Sequence, residues 1–488
     1  MSDKEVISAL HQQNQQLTEL VLQQTEQIEW LVAENKKLQL KIAKLTKKIA
    51  KLTKKIAKLT KNSSNSSKPP SSDEFTKPGG NSNKGNKGRK RRRGGQKGHK
   101  KNSQKIFPEQ EVDKFVPCEI PQDEIDEKGL QPLDEYEIFQ QVELKDKPFI
   151  VTQYNRQKYR DRDGKIVVAP LPIPVMRTGY FGNNLQALVG LLKGAMSSSY
   201  SQIQELLQSM NIPCSRGYLS KICTEKISDS LEEPYHQAIW ALRNEKVLGS
   251  DESGLKNNGD RHWVWCFRSV LYTVFHINKR RSTQILIDIL GPAFVGVLMV
   301  DYFSSNKSFI KNSSALAQYC WAHLIRDIKY ISDTYSGKTH RWAEELLDIC
   351  KKMFHTLHQK HQLTQNGYLR TMHRWRRAFI KKVRKPPDTN EGRNIAARFK
   401  GPLAENYFRF IDIDGVDPTN NLTEQRIRHV AIDRRVTQGT RSKKGQRWCQ
   451  RIWSVIASCR QQGRSPYEYL KSALNAYVHG DTVPGFAK

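Results

Sequence analysis

Three acidic residues in this chain have the neighbours that a metal-dependent site requires. Asp251 follows the apolar run Lys246-Val-Leu-Gly-Ser250, Asp301 ends the run Val297-Leu-Met-Val300, and Glu424 lies in the helix-like stretch Asn420-Asn-Leu-Thr-Glu-Gln-Arg-Ile-Arg428. A carboxylate at the end of a buried strand emerges at the sheet edge, where its charge calls for a cation. Two such strand ends and one helical carboxylate supply hard oxygen ligands of the kind that Mg²⁺ or Mn²⁺ takes in octahedral coordination. Two ions so held stabilise both the attacking and the leaving oxygen of a phosphodiester in line. In a chain with formal charge +32, that chemistry points to cleavage and transfer of nucleic-acid strands.

Each acid also has an ordinary reading. Asp251 could cap the Ser253-Gly254 bend, Asp301 could cap the segment from Ser304 to Leu316, and Glu424 could pair with Arg428 one turn on. Their joint placement at two strand ends of one sheet favours the metal site. Glu252 adjoins Asp251 and either acid could face an ion. The residue ending the strand points most directly into the site, which favours Asp251.

The elements that must position these residues are legible from pattern. Val247-Leu248 opens a strand, His262-Trp-Val-Trp-Cys-Phe-Arg-Ser269 alternates as a second, and Val270-Leu-Tyr-Thr-Val-Phe-His-Ile277 reads as a third. Ser282 to Leu290 reads as a helix with an N-cap serine, stopped by Gly291-Pro292, and Gly296 to Val300 is a fully buried fourth strand. Strand, strand, strand, helix, strand is the order of an α/β, ribonuclease-H-like catalytic core, with Asp251 and Asp301 on neighbouring strands. Glu424 lies far beyond Asp301, so the catalytic domain expected over 246–440 must contain a helical insertion at about 305–416. Trp342, Trp375 and the basic cluster Arg374-Trp-Arg-Arg377 fall in it, and Asp417-Pro418-Thr419 starts a fresh helix.

At 488 residues and 37% apolar content the chain supports two or three folded units. Lys and Arg number 81 against 49 Asp and Glu, a balance that favours an anionic polymer as partner. Ribosomal or membrane-surface binding are the plainer alternatives. No apolar run reaches the ~18 residues of a membrane span, and Met1-Ser-Asp-Lys-Glu5 has no signal pattern. The eight cysteines include no CxxC pair, which suits a reducing cytoplasm.

Residues 1–61 carry a heptad repeat. With Ile42, Ile49 and Ile56 at position a, Leu45, Leu52 and Leu59 fall at d, and the register extends back through Leu38, Leu31, Leu17 and Leu10, broken at d only by Gln24. Val21, Ile28 and Asn35 complete the a positions. Ile at a, Leu at d and one Asn at a favour a parallel two-stranded coiled coil, hence a homo-oligomer. A solitary lysine-rich helix is the alternative. Residues 62–105 form a linker, polar and proline-broken at first, then rich in Gly and basic residues including Arg89, Lys90, Arg91, Arg92 and Arg93. Such clusters neutralise DNA phosphates and release counterions, or stay solvated.

Residues 106–180 read as a small β-containing module, with Phe149-Ile-Val-Thr-Gln-Tyr154 and Lys165-Ile-Val-Val168 as strand candidates. Residues 181–245 turn helical. Within them Tyr200 to Met210, a short turn, and a second helix led by Ser215 and Arg216 have the spacing of a helix-turn-helix. Two packed helices without a DNA role use the same spacing. A C-terminal helical segment, 441–488, carries Trp448 and Trp453, which read as core.

In order along the chain, Leu248-Gly-Ser-Asp-Glu-Ser-Gly254, Met299-Val-Asp-Tyr302, Tyr319-Cys-Trp-Ala-His-Leu324 and Asn420-Asn-Leu-Thr-Glu424 resemble the blocks of the insertion-sequence-66 family of transposases. Asn65-Ser-Ser-Lys-Pro-Pro-Ser-Ser-Asp73 and Arg92-Arg-Gly-Gly-Gln-Lys-Gly-His99 resemble its N-terminal linker. The resemblance spans about 30–475 and implies a DDE transposase acting on the DNA ends of a bacterial mobile element and on target DNA. It makes Asp251, Asp301 and Glu424 the triad for Mg²⁺ or Mn²⁺. Arg426, Arg428, Arg434 and Arg435 would then meet phosphates flanking the scissile bond. Family members usually carry CxxC-type zinc pairs after the linker, whereas residues 106–180 hold only Cys118. No zinc is expected there, and Phe115-Val-Pro-Cys-Glu-Ile120 reads as a remnant. Cys320 and His323, at i and i+3, could share a metal, but core packing is the preferred reading. A non-enzymatic DNA-binding protein and a hydrolytic nuclease of the same fold are the rival functions.

Overall fold

The computed structural model describes residues 3–59, 106–131 and 138–485. The basic linker, with Arg89, Lys90, Arg91, Arg92 and Arg93, lies outside the described residues. The chain divides into two units, one of Met1–Thr76, Ile173–Leu206 and Pro213–Lys488, the other of Lys77–Pro172 and Leu207–Ile212.

In the larger unit α1 (Asp3–Leu59) is one uninterrupted helix. Its a and d side chains from Leu10 to Leu52, including Val21, Ile28, Leu31, Ile42 and Ile49, are exposed. The smaller unit holds α2 (Gln122–Lys128) and an antiparallel hairpin of β1 (Lys158–Arg160) and β2 (Ile166–Val168). Asp161 ties its turn by accepting from Lys165 N at 2.8 Å. The strand expected over Phe149–Tyr154 does not form; it has no partner strand among the described residues, and an unpaired strand leaves its backbone groups unbonded.

The helical stretch that follows comprises α3 (Ile173–Thr178), α4 (Asn183–Ala195), α5 (Tyr200–Ser209) and α6 (Arg216–Lys221). A π-helical turn (Ile222–Ile227) leads into α7 (Ser228–Ser230) and α8 (Glu232–Leu242). Ser215 caps α6 by accepting from Tyr218 N, which stops the chain from continuing as one helix through the turn.

The chain is mostly helical around a central mixed sheet of order β5-β4-β3-β6-β7. Strands β3 (Val247–Asn257), β4 (Asp260–Arg268) and β5 (Thr273–Asn278) form an antiparallel meander. After α9 (Thr283–Leu290), β6 (Val297–Val300) lies parallel to β3; after α10 (Ser304–Lys311), β7 (Leu316–Tyr319) lies parallel to β6. Two expectations change here. β3 does not end at Asp251. Its pairing with β6 stops at Gly249↔Met299, but it continues against β4 to Asn257↔Asp260. Asn258 and Gly259, both at positive φ, close that hairpin, as an Asn-Gly pair does when the turn twist must match the strands. The stretch at about 305–416 is also not wholly an insertion, because β7 belongs to the sheet.

The helices beyond it are α11 (Trp321–Thr334), α12 (Gly337–His358), α13 (Gln365–Val383) and α14 (Asn390–Ala397). Trp321 is fully buried against Phe379 and Phe408. Trp342 Nε1 donates to Lys382 O, joining α12 to α13. A 3₁₀ stretch (Gly401–Tyr407) and α15 (Arg409–Asp412) lead to α16 (Asn421–Thr437), α17 (Lys443–Gln461) and α18 (Pro466–His479). α17 is not peripheral. Ser454 and Ser458 accept from Phe275 N and Thr273 N of β5, and Trp448 and Trp453 are buried. No helix among the described residues is long and apolar enough to cross a membrane.

Candidate active site

Alternation along β3 puts Gly249, Asp251 and Ser253 on one face, and α16 covers that face. A Cβ on Gly249 would stand 2.0 Å from Thr423 Oγ1 and 2.8 Å from Asn420 Oδ1, so only glycine lets the helix approach this closely. The start of α16 is tied on several sides. Asn420 Nδ2 donates to Ser250 O at 2.7 Å, Asn420 N donates to Cys320 Sγ at 3.2 Å, and Trp321 N donates to Pro418 O at 2.9 Å. Further along, Arg434 Nη1 donates to Ser253 Oγ at 3.1 Å and to Gly254 O. Glu424, in the first turn of α16, is thereby carried to the sheet.

Asp301 leaves β6 with its backbone carbonyl occupied, accepting from Phe303 N at 2.7 Å and Asn306 Nδ2 at 3.2 Å. The N-cap of α10 is Phe303, so the Asp301 carboxylate is not spent on capping. Its Oδ1 faces His323 Nδ1 at 2.9 Å; that nitrogen is 3.6 Å from Glu424 Oε1, and Arg326 Nη2 is 3.8 Å from Glu424 Oε2. Ligand atoms of Asp301, Cys320, His323 and Glu424 all lie within 4.8 Å of one another. The ion-pair distances lack hydrogen-bond angles: Asp301 Oδ1, His323 Nδ1 and Glu424 Oε1 are buried without a hydrogen bond.

The electrostatics follow from crowding. Burial, then the charges of Asp301, Glu252 and Glu424, hold the Asp251 carboxyl well above the usual carboxylate range. Burial alone would lower the pKa of His323, but the adjoining Asp301 carboxylate outweighs it and pushes the imidazole up to about 11. Glu252 differs from its neighbour. Burial raises its pKa while Arg281 opposes that rise, and Arg281 Nε donates to Glu252 Oε1 at 2.8 Å. The Arg281 guanidinium also lies over the rings of Trp263 and Phe303. Glu252 therefore has its cation. Asp301 and Glu424 each keep an orphaned buried oxygen, and with the nearby Asp251 carboxyl they offer oxygen donors that fit a hard divalent cation.

Of the three expected acids, Asp301 and Glu424 share a cluster with Cys320 and His323, and Asp251, on β3, is near enough for the charges of both to act on its carboxyl. The expected DNA-contacting arginines do not share one place. Arg216 begins α6 and is exposed, as are Arg428 and Arg435 on α16. Arg426 is half-buried near Arg268 of β4, whose pKa is lowered by burial and then by Arg426. Arg434 is turned onto β3. Pattern reading underrated His323: it lines the site instead of packing in the core, while Cys320 is buried as expected. Their i, i+3 spacing was the available signal.

No curated protein matches the chain. The model of a family of unknown function, DUF6444, matches residues 10–105. The model described as Transposase IS66 family matches residues 178–447, more than half of the chain and all of the site just described. The chain belongs to the IS66 family of transposases.

Proposed function

We propose that the protein is a DDE transposase with a ribonuclease-H-like core, cleaving DNA at the ends of a bacterial insertion sequence and joining those ends to target DNA in the cytoplasm. The observation that carries this reading is the meeting of Asp301 and Glu424, each with a buried, unpartnered carboxylate oxygen, beside Asp251, on whose carboxyl both of their charges act. The strand order, three antiparallel strands and then two parallel ones, supports the assignment of the core.

Asp251, Asp301 and Glu424 would hold Mg²⁺ or Mn²⁺, which when bound supplies Lewis-acid stabilisation of the attacking and leaving oxygens. The chain's own part is positioning. Gly249 and Asn420 seat α16 against β3, Arg326 and His323 place positive charge beside the Glu424 and Asp301 carboxylates, and Arg281 pairs with Glu252. Water attacks the phosphodiester, breaking the bond to the 3′ oxygen and leaving a 3′-hydroxyl and a 5′-phosphate. That hydroxyl then attacks a target phosphodiester, so one P–O bond replaces another and no external energy source is needed. Arg426, Arg428, Arg434 and Arg435, Arg216 with its helix-turn-helix spacing, and the linker cluster Arg89 to Arg93 would supply phosphate contacts. The heptads of α1 would pair two chains.

A hydrolytic nuclease would share every residue of this site. Incubating the purified protein with Mg²⁺, labelled element ends and a target plasmid separates the two. The transposase reading predicts labelled ends joined covalently to the plasmid. Nicked ends without any joined product would favour the nuclease.

A further inference from the structure

Beyond Asp251, β3 runs on with β4 along one side; along the other, past Gly249, no strand pairs with it among the described residues until Thr440 bridges to Asn257 in parallel. That stretch of edge lies on the same side of β3 as β6 and Asp301. It borders a groove of about 690 Å³ whose lining includes Gly254, Lys256, Arg261, Arg434 and Arg441 and no acidic residue.

The groove is rigidly built. Thr440 N donates to Lys256 O at 2.9 Å, Asn258 N to Thr440 O at 2.8 Å, and Thr440 Oγ1 to Asn257 Oδ1 at 2.9 Å. Gly439 makes this closure possible: at φ +101°, a Cβ there would lie 2.1 Å from Lys256 O. Arg434 ties α16 to the groove's near end through Ser253 and Gly254. Among the described residues, Lys256, Arg261 and Arg441 have no carboxylate partner, and Arg261 lies over the Trp263 ring at 4.5 Å. Gly254 and Gly259 leave the floor open, since a Cβ at either would meet nothing within 4 Å. Cations gathered by a fixed backbone repel one another, and a polyanion relieves that repulsion.

We propose that this groove carries the DNA strand leading away from the scissile phosphate, with successive phosphates on Lys256, Arg261 and Arg441. The proposal rests on the transposase reading and adds the strand's course. At ~3.3 Å per strand residue, Lys256 lies about 16 Å along β3 from Asp251. That distance is about five nucleotides of duplex at ~3.4 Å each.

The test is a salt titration of full-length protein with a labelled duplex of about 30 base pairs and arbitrary sequence. Replacing Lys256, Arg261 and Arg441 together by Gln should flatten the slope of log affinity against log salt by about 2 to 3, at ~0.9 per lost phosphate contact. A control removes the same charge from α12, with Lys338, Arg341 and Lys351, all exposed, changed to Gln; its slope should move much less. Gly254→Leu removes no charge but obstructs the floor, so it should also flatten the slope while circular dichroism stays unchanged. Equal slopes for the groove and control variants would overturn the proposal, and so would a folded Gly254→Leu protein with the wild-type slope. Cleavage by Asp301→Asn distinguishes a failed catalytic site from a failed groove. Full cleavage there would defeat the catalytic reading itself. An inactive Asp301→Asn beside a groove variant that behaves like the control would defeat only the groove.

Discussion

Asp251 and Glu252 are adjacent acids with opposite circumstances. Asp251 sits with other carboxylates and no cation, whereas Glu252 is bound by Arg281. Two-residue periodicity in a strand explains the split, because neighbours point to opposite faces. Asp251 itself is mid-strand, not at a strand end as its sequence context suggested. His323 was misread because its neighbours Cys320, Trp321 and Ala322 are apolar, and no pattern tells which way one helical histidine points. The crowding has a pH signature in metal-free protein. Asp251 and His323 both have folded pKa values above their unfolded ones of about 4 and 6.5, so these two groups hold more protons in the folded protein than in the unfolded chain. Their contribution to stability falls as pH rises, while the burial-lowered His276 and His429 act the other way below about 6.5. The His323 share is complete below about 6.5 and lost toward about 11; the Asp251 share begins to fade above about 4. Thermal unfolding in chelator between about pH 7 and 9 should show a falling Tm, and Asp251→Asn should make the fall shallower. A Tm rising with pH would contradict the arrangement.

At the scale of elements, the close seat of α16 on β3 is the decisive contact. Gly249→Ala leaves every charge in place but drives a methyl into Thr423. It should cost about 1–3 kcal/mol of stability, as overpacking does, and should depress cleavage more than it depresses folding, because Glu424 moves with the helix. Adding Thr423→Ala should recover much of both; denaturant unfolding and cleavage assays measure the pair. The meander, α9 and β6 were legible because β-branched runs and a Gly-Pro stop mark them locally. The hairpin extension of β3 had a local signal too, Asn258-Gly259, which pattern reading passed over. β7 did not. Leu316-Ala-Gln-Tyr319 is short and unremarkable in composition, and its place is set by pairing with β6, a long-range fact.

At the scale of the whole molecule, α1 exposes a row of mostly apolar a and d residues, interrupted at Asn14, Gln24 and Asn35, which a second copy would cover. Deleting residues 1–61 should shift the protein toward monomer in sedimentation while the remainder stays folded, and Asn35→Ile should raise stability with looser register. An unchanged oligomer would place the main interface elsewhere. Changing Arg89, Lys90, Arg91, Arg92 and Arg93 to Ala should weaken binding to all DNA sequences alike and flatten its salt dependence; untouched affinity would leave the cluster merely solvated. The family's blocks were readable from residues alone because they surround the acids themselves. The smaller unit stayed opaque, its hairpin short and every strand residue exposed.

Asp251, Asp301 and Glu424 should form one divalent-metal site that cuts DNA. The most direct measurement is Mn²⁺ binding by electron paramagnetic resonance, taken on the same full-length preparations as Mg²⁺-dependent cleavage, for wild type, Asp251→Asn, Asp301→Asn, Glu424→Gln and Glu252→Gln. Each triad variant should stay folded, bind Mn²⁺ far more weakly and lose cleavage by about 10²-fold or more, the scale on which loss of a charge-stabilising group acts. Glu252→Gln should retain most of both. Full binding and cleavage in any triad variant, or a Glu252→Gln loss deeper than that of Asp251→Asn, would contradict the account.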